Sequence, residues 1–340
     1  MKIHRSIDVS QLTRELTGEQ LVEGMTDIWR SRVRALSRAI TFLENDPLLA
    51  MTVLSQATAS STISATQPTQ SRVIGLTGLP GAGKSSLTNL LIRALRQAGQ
   101  TVAVLAVDPS SPLSGGAVLG DRVRMQEHFR DAGVFIRSMG SRGALGGVAQ
   151  STRGAIRLAG LLGFDKIIVE TVGIGQSESE IVELADTTVL VLMPNSGDEV
   201  QLMKAGVLQL ADVYVVNKAD IANPSRMINE LHENTAPDDP QAWCPPVVAT
   251  SATNEQGIDQ LIQAIEKHGV YETTHPKGFQ IRKSRAMREI LRALHNVVEI
   301  DFLSLIEGLP PESLEQVIDG RRPALAIAHE LAKKFKGSTQ

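Results

Sequence analysis

Eight residues, Gly78, Leu79, Pro80, Gly81, Ala82, Gly83, Lys84 and Ser85, fit the pattern G-x-x-x-x-G-K-[ST], and the chemistry of that pattern is the holding of phosphate. Gly78, Gly81 and Gly83 permit positive φ and let backbone amides curl around an anion. The loop lies between an apolar run, "RVIGLT", and a helix-like run, "SSLTNLLIRALRQAG", whose positive dipole end would face the same anion. Lys84 would span the β- and γ-phosphates of a nucleotide, and Ser85 would bind Mg2+. A glycine turn with an incidental lysine would account for neither the serine nor the strand-to-helix setting.

A second set of residues suits a purine base. "NKAD", Asn217 to Asp220, follows the apolar run "VYVV", at the kind of strand end where ligands bind in parallel sheets. The Asp220 carboxylate can accept from both N1–H and the 2-amino group of guanine, donors that adenine lacks. Asn217 would brace the loop and Lys218 would lie along the base. "SAT", Ser251, Ala252 and Thr253, stands after "PVVAT" as a second base loop, with a backbone amide for guanine O6. Phosphate loop, NKAD and SAT in this order point to GTP and GDP rather than ATP.

Two more strand ends would converge on the phosphates. Asp108, in "AVDPSSP", serves either Mg2+, directly or through water, or as a turn cap. Glu170 ends "KIIVE" at the place of the acid that faces the hydration shell of Mg2+, and Gly173 would offer its N–H to the γ-phosphate. Nucleotide switches of the D-x-x-G kind carry aspartate where this chain has Glu170, and often glutamine where it has Ile174. Isoleucine cannot orient water, so hydrolysis by the chain alone is expected to be slow. Gln176, a partner, or movement of "NSGDEVQLMKAG" could complete the site.

The elements that must position these residues read as α/β. From Arg72 onward, short apolar runs alternate with helix-length segments, the pattern of a mainly parallel sheet covered by helices on both faces. A P-loop GTPase domain is expected over 72–269, a helical extension and linker over 1–71, and a helical C-terminal arm over 270–340. Trp29, Val33, Leu36, Ile40 and Leu43 form one apolar helical stripe. The segment 279–306 carries Ile290, Leu294, Val297, Phe302 and Leu305, more apolar surface than a lone tail should expose, so a homodimer is expected.

Composition narrows the function. Hydrophobic residues make up 42% and aromatics 3%, which disfavours a base-stacking nucleic-acid surface. The net charge of −3 gives no reason to expect a polyanion partner. Cys244 is the sole cysteine, which excludes an intramolecular disulfide and a thiolate cluster. No run approaches the ~20 apolar residues of a membrane span. The start lacks an apolar signal core, so the expectation is a cytoplasmic protein with neither nucleic acid nor membrane as partner.

"TGLPGAGKSS", "AVDPSSPLSGGAVLGDRVRM", "SRGALGGVAQ", "IVETVGIGQSE" and "VVNKAD" together resemble the MeaB/ArgK family of P-loop GTPases over about residues 72–253. The resemblance implies a G-protein chaperone of an adenosylcobalamin-dependent acyl-CoA mutase, typically methylmalonyl-CoA mutase. It further implies a homodimer built through C-terminal helices, Gly78–Ser86 as the phosphate loop, Glu170 as Walker-B acid, and a partner-sensing loop around Asn195–Lys204. Lys204 is then either the responder to the mutase or a solvated lysine. "SRGALGG" is either a switch or a flexible loop. Other readings are a kinase of the arginine/ornithine transport type and a nickel-delivery GTPase. The first would need an acceptor pocket. The second would need Cys or His ligands, where this chain has one cysteine and 7 histidines without a clustered tract.

Overall fold

The computed structural model describes residues 12, 15–16, 25–45, 71–108, 125–140, 147–171, 177–194 and 207–337. The expectations for Gly173, Ile174, Gln176, "SRGALGG" up to residue 146, and Asn195–Lys204 concern residues outside these. The chain divides into two compact units, Met1–Tyr271 and Glu272–Gln340.

The first unit is built on a seven-stranded sheet: β1 Arg72–Gly78, β2 Val102–Asp108, β3 Val134–Gly140, β4 Lys166–Thr171, β5 Thr187–Leu192, β6 Val213–Val216 and β7 Val247–Ala249. The order is β3-β2-β4-β1-β5-β6-β7 and every pairing is parallel. The chain therefore builds one half of the sheet on one side of β1 and the other half on the opposite side. All strands share one carboxyl edge, where a parallel sheet places its ligands.

Strand side chains alternate between two cores, as a period of two requires. Ile74, Leu76, Val104 and Ile168 point into one, with Leu87 and Leu91 of α2 (Lys84–Gln97) and Leu261 and Ile265 of α6 (Ile258–Thr274). Val73, Ala103, Leu105, Ile167 and Val169 point into the other. There they meet α1 (Met25–Asn45) and α3 (Gly147–Leu162) through Leu36, Ile40, Leu158 and Phe164, the last just past α3. The α1 stripe packs as its spacing predicts: Leu36, Ile40 and Leu43 are buried, and Trp29 and Val33 pack against the same core. Burial of each such leucine or isoleucine contributes about 1.5–3 kcal/mol. Trp29 Nε1 also donates to Ala132 O at 2.5 Å, fastening α1 beside β3.

Helices α4 (Ser177–Leu184) and α5 (Ser225–Thr235) complete the cover. The amino edge of the sheet is closed by structural contacts. His268 is buried there, with Nδ1 2.9 Å from Thr187 Oγ1 and Nε2 3.3 Å from Asp212 Oδ1. Trp243 Nε1 donates to Asp212 O at 2.7 Å.

The second unit is helical: α7 Pro276–Glu307, α8 Pro311–Ile318 and α9 Ala324–Gly337. Phe302 and Phe335 pack with ring centroids 5.1 Å apart, and Ile327 and Leu331 of α9 are buried. The Arg285 guanidinium lies 3.1 Å from the fully buried Glu272 carboxylate. Along α7, Phe279, Met287, Ile290, Leu291 and Leu294 are exposed. No described helix is long and apolar enough to cross a membrane.

Candidate functional site

The carboxyl edge carries the phosphate loop. β1 stops at Gly78, whose φ of 141° turns the chain away against β5; a Cβ there would stand 2.1 Å from Val191 O. Leu79 to Gly83 then fold into a curl closed by Ala82 N donating to Leu79 O at 3.2 Å. Gly81 is exposed and has φ 77°, a left-handed bend that glycine takes without strain. Gly83 has φ 91° and caps α2 without a side-chain hydrogen bond. A helix start without a side-chain cap keeps its first-turn amides for an anion. Pro80 and Ser86 are exposed on the rim.

Lys84 is buried and bends back over the loop, with Nζ donating to Gly78 O at 2.8 Å and Leu79 O at 3.0 Å. Its ammonium is thus fixed inside the curl, where charge from a phosphate would need a counter-charge.

Glu170, on β4 opposite Leu76 of β1 and Ala106 of β2, is 1% exposed. A carboxylate so deep needs donors. Ser85 Oγ donates to Oε1 at 2.7 Å and Thr88 Oγ1 donates to Oε2 at 2.8 Å. Ser85 and Thr88 are three residues apart on α2 and so share a face of it. Asp108 ends β2 on the same edge, opposite Gly140 of β3; its side chain lies outside the described residues.

The NKAD and SAT stretches meet the 78–85 loop through one side chain. Asn217, buried just past β6, donates from Nδ2 to Ala82 O at 2.8 Å. Its Oδ1 accepts from Thr250 Oγ1 at 3.0 Å and from Ala252 N at 3.3 Å. Ala219 N donates to Thr250 O at 3.0 Å, which lays the two loops side by side. A Cβ at Gly83 would fall 2.4 Å from Asn217 Nδ2, so glycine is required there for close approach as well as for its φ. Lys218 adopts φ 60°, a left-handed bend that non-glycine residues seldom take, and Asp220 follows it exposed to solvent. Ser251 is buried in a bridge with Gln256, and its Oγ accepts from Asn254 N at 3.1 Å. Ala252 is half-buried and Thr253 exposed.

Arg93 of α2 links the turn after SAT to the stretch before β3. It contacts Glu255 at 2.5 Å and Glu127 at 3.2 Å. The guanidinium holds the Glu127 carboxyl below its ordinary pKa.

The structure thus gathers the residues of 78–86, Glu170, Asn217 and the 251–253 loop on one edge. Two contributors were missed in the sequence. Thr88 had a signal, a hydroxyl on the buried face of α2 one turn after Ser85. Thr250, which locks Asn217, had none, since a threonine at a strand end is ordinary.

The likeness to known proteins is consistent with this site. A family model described as "Methylmalonyl Co-A mutase-associated GTPase MeaB" matches residues 36–304. A chain from Pyrococcus abyssi is 40% identical over 284 residues, 82% of this chain and 85% of its own. The protein named GTPase ArgK of Escherichia coli is 37% identical over 221 residues, 63% of this chain and 66% of that one. The mouse protein named methylmalonic aciduria type A homolog, mitochondrial, is 40% identical over 193 residues, 55% of this chain and 46% of its own. The crystal structure of a LAO/AO transport system kinase has the same fold, with a TM-score of 0.62 at 24% identity, covering 96% of this chain and 97% of that one. With the G-x-x-x-x-G-K-S loop, NKAD and SAT on one sheet edge, and a family match running through all three, the chain belongs to the MeaB family of methylmalonyl-CoA mutase-associated GTPases.

Proposed function

We propose that this chain is a cytoplasmic homodimer that binds GTP and GDP with Mg2+ and hydrolyses GTP slowly by itself. In this reading it gates delivery of adenosylcobalamin to a cobalamin-dependent acyl-CoA mutase of the methylmalonyl-CoA type, and protects or reactivates that enzyme. The observation that carries the nucleotide half is Asn217, whose amide ties the phosphate loop to both base loops. The description of the family, a mutase-associated GTPase, supports the partner half.

In this reading Gly78 to Ser86 hold the phosphates, and Asn217, Lys218, Asp220, Ser251, Ala252 and Thr253 hold guanine. Ser85, Asp108 and Glu170 are the residues toward Mg2+. The donor set fits that ion. The Ser85 proton is committed to Glu170, and the oxygen lone pairs are what a cation would take. Among the described residues no group of three or more His, Cys, Asp or Glu forms a metal cage. Mg2+ suits such a place, because it takes few protein ligands and keeps water and phosphate oxygens. When bound, it neutralises charge between the β- and γ-phosphates. Lys84 adds a second positive charge from inside the loop, and the backbone amides orient the chain of phosphates.

Gly173 would sense the γ-phosphate, and Ile174 leaves no side chain there to orient water. The expected result is slow GTP turnover that rises when the host's purified cobalamin-dependent mutase is added. Steady-state phosphate release with and without the mutase measures it. No acceleration by any cobalamin mutase of the host overturns the chaperone reading and leaves the nucleotide reading standing.

The homodimer rests on the exposed apolar side chains of α7. Replacing Ile290 and Leu294 together with aspartate is expected to halve the mass seen by light scattering. An unchanged dimer mass would put the interface elsewhere.

A further inference from the structure

We infer that Thr88 is a positioning residue for the metal end of the site, the part that lets a glutamate serve at position 170. The inference rests on the nucleotide reading above, and the three observations behind it are geometric.

Glu170 is 1% exposed and Thr88 0% exposed, so their 2.8 Å contact is shielded from water. The two hydroxyls on the carboxylate divide its oxygens between them. Ser85 takes Oε1 and Thr88 takes Oε2. A carboxylate gripped at one oxygen can still turn about its last bond. Gripped at both, from donors one helical turn apart on α2, its plane is fixed. A carboxylate oxygen can accept more than one hydrogen bond, so a carboxylate held this way would meet metal-bound water in a set direction.

The length of the side chain makes this hold necessary. Glutamate has one methylene more than aspartate and therefore one more torsion to restrain. Ser85 and Thr88 both meet the end of this longer side chain, one at each oxygen, so the pair of contacts restrains the added torsion. Shortening Glu170 to aspartate draws the carboxylate back toward β4 by about one carbon–carbon bond, ~1.5 Å, which takes a 2.8 Å contact out of hydrogen-bond range. Thr88 and Glu170 thus work as a pair, and neither should be neutral without the other. Threonine suits the position because its methyl fills the apolar face of α2 while the hydroxyl turns to the carboxylate.

The test is the Mg2+ dependence of binding, read by calorimetry with GDP and with a non-hydrolysable GTP analogue. Proteins compared are the wild type, Thr88→Val, Thr88→Ser, Glu170→Asp and the Thr88→Val/Glu170→Asp double variant. Valine keeps the shape of threonine and removes only the hydroxyl. It is expected to raise the Mg2+ concentration giving half-maximal tightening by about ten-fold, the scale of one hydrogen bond to a charged group. Affinity in EDTA is expected to stay as in the wild type, an outcome that a merely structural role would not give. Serine restores the Mg2+ demand of the wild type. Glu170→Asp raises it by itself, and adding Thr88→Val to Glu170→Asp changes it by less than about two-fold, because the contact is already lost. Equal Mg2+ demand in Thr88→Val and wild type overturns the inference, as does an equal loss with and without Mg2+, or additive effects in the double variant. If Thr88→Val fails to fold, the comparison of Thr88→Ser with Glu170→Asp decides: serine must match the wild type and aspartate must not. A wild type that binds no guanine nucleotide at all would instead overturn the nucleotide reading, and that result is read before any variant is made.

Discussion

Replacing Lys84 with alanine is expected to lower GTP hydrolysis by about 10²- to 10³-fold, the usual cost of removing one preorganised charge partner of a transition state. The reason lies in where the ammonium sits. It is buried, 2.8 Å from Gly78 O and 3.0 Å from Leu79 O, and so is already inside the curl before any phosphate arrives. A charge held in place needs no reorganisation at the moment of reaction, and its effect is larger out of bulk water. Phosphoryl transfer leaves the protein little covalent work, so positioning and charge carry most of the acceleration. The change also leaves two loop carbonyls without that donor, so nucleotide binding should weaken too. Single-turnover hydrolysis at saturating nucleotide separates the two effects. A Lys84→Ala protein with the single-turnover rate of the wild type would remove the phosphate loop from the mechanism.

Asp220→Asn is expected to weaken GTP binding by about 10- to 150-fold, corresponding to the ~1.5–3 kcal/mol of a hydrogen bond to a charged group. It should also turn preference toward xanthosine nucleotides, whose 2-oxo group accepts where guanine donates. The loop should keep its shape, because its bend is made by Lys218 at φ 60° and by Ala219 N on Thr250 O, neither of which uses the Asp220 carboxylate. Asp220 is exposed, so the substitution leaves no buried group stranded. Calorimetric titration with GTP, ATP and xanthosine triphosphate checks it. ATP bound by the wild type as tightly as GTP would end the guanine assignment.

The strands were legible because a parallel sheet covered on both faces demands unbroken aliphatic runs, and "VAVLAV" and "KIIV" are short, β-branched runs of that kind. The phosphate loop was legible because three glycines, a lysine and a serine at fixed spacing leave few alternatives. The order of strands was not, since nothing within β4 states that it lies between β1 and β2. The bond from Asn217 to Ala82 joins residues 135 apart in sequence, and only the sheet brings them together. The spacing marks Gly83 as a positive-φ residue of the phosphate loop; that it also makes room for Asn217 depends on the same long-range meeting. Thr88 shows the remaining limit. Its residue type and face were visible, but its meaning depends on how far the Glu170 side chain reaches, a property of three dimensions.

The Asn217 bond to Ala82 has a further effect, because it ties the NKAD stretch directly to the 78–85 loop. On the proposed reading, the site works as a chelator. Guanosine alone or pyrophosphate alone engages one end, and each must give up its own rotational and translational freedom for a modest return. Joined through a ribose of the matching length, the second contact becomes intramolecular, at an effective concentration set by how rigidly the two ends are spaced. A single buried amide then governs how much the whole nucleotide gains over the sum of its parts.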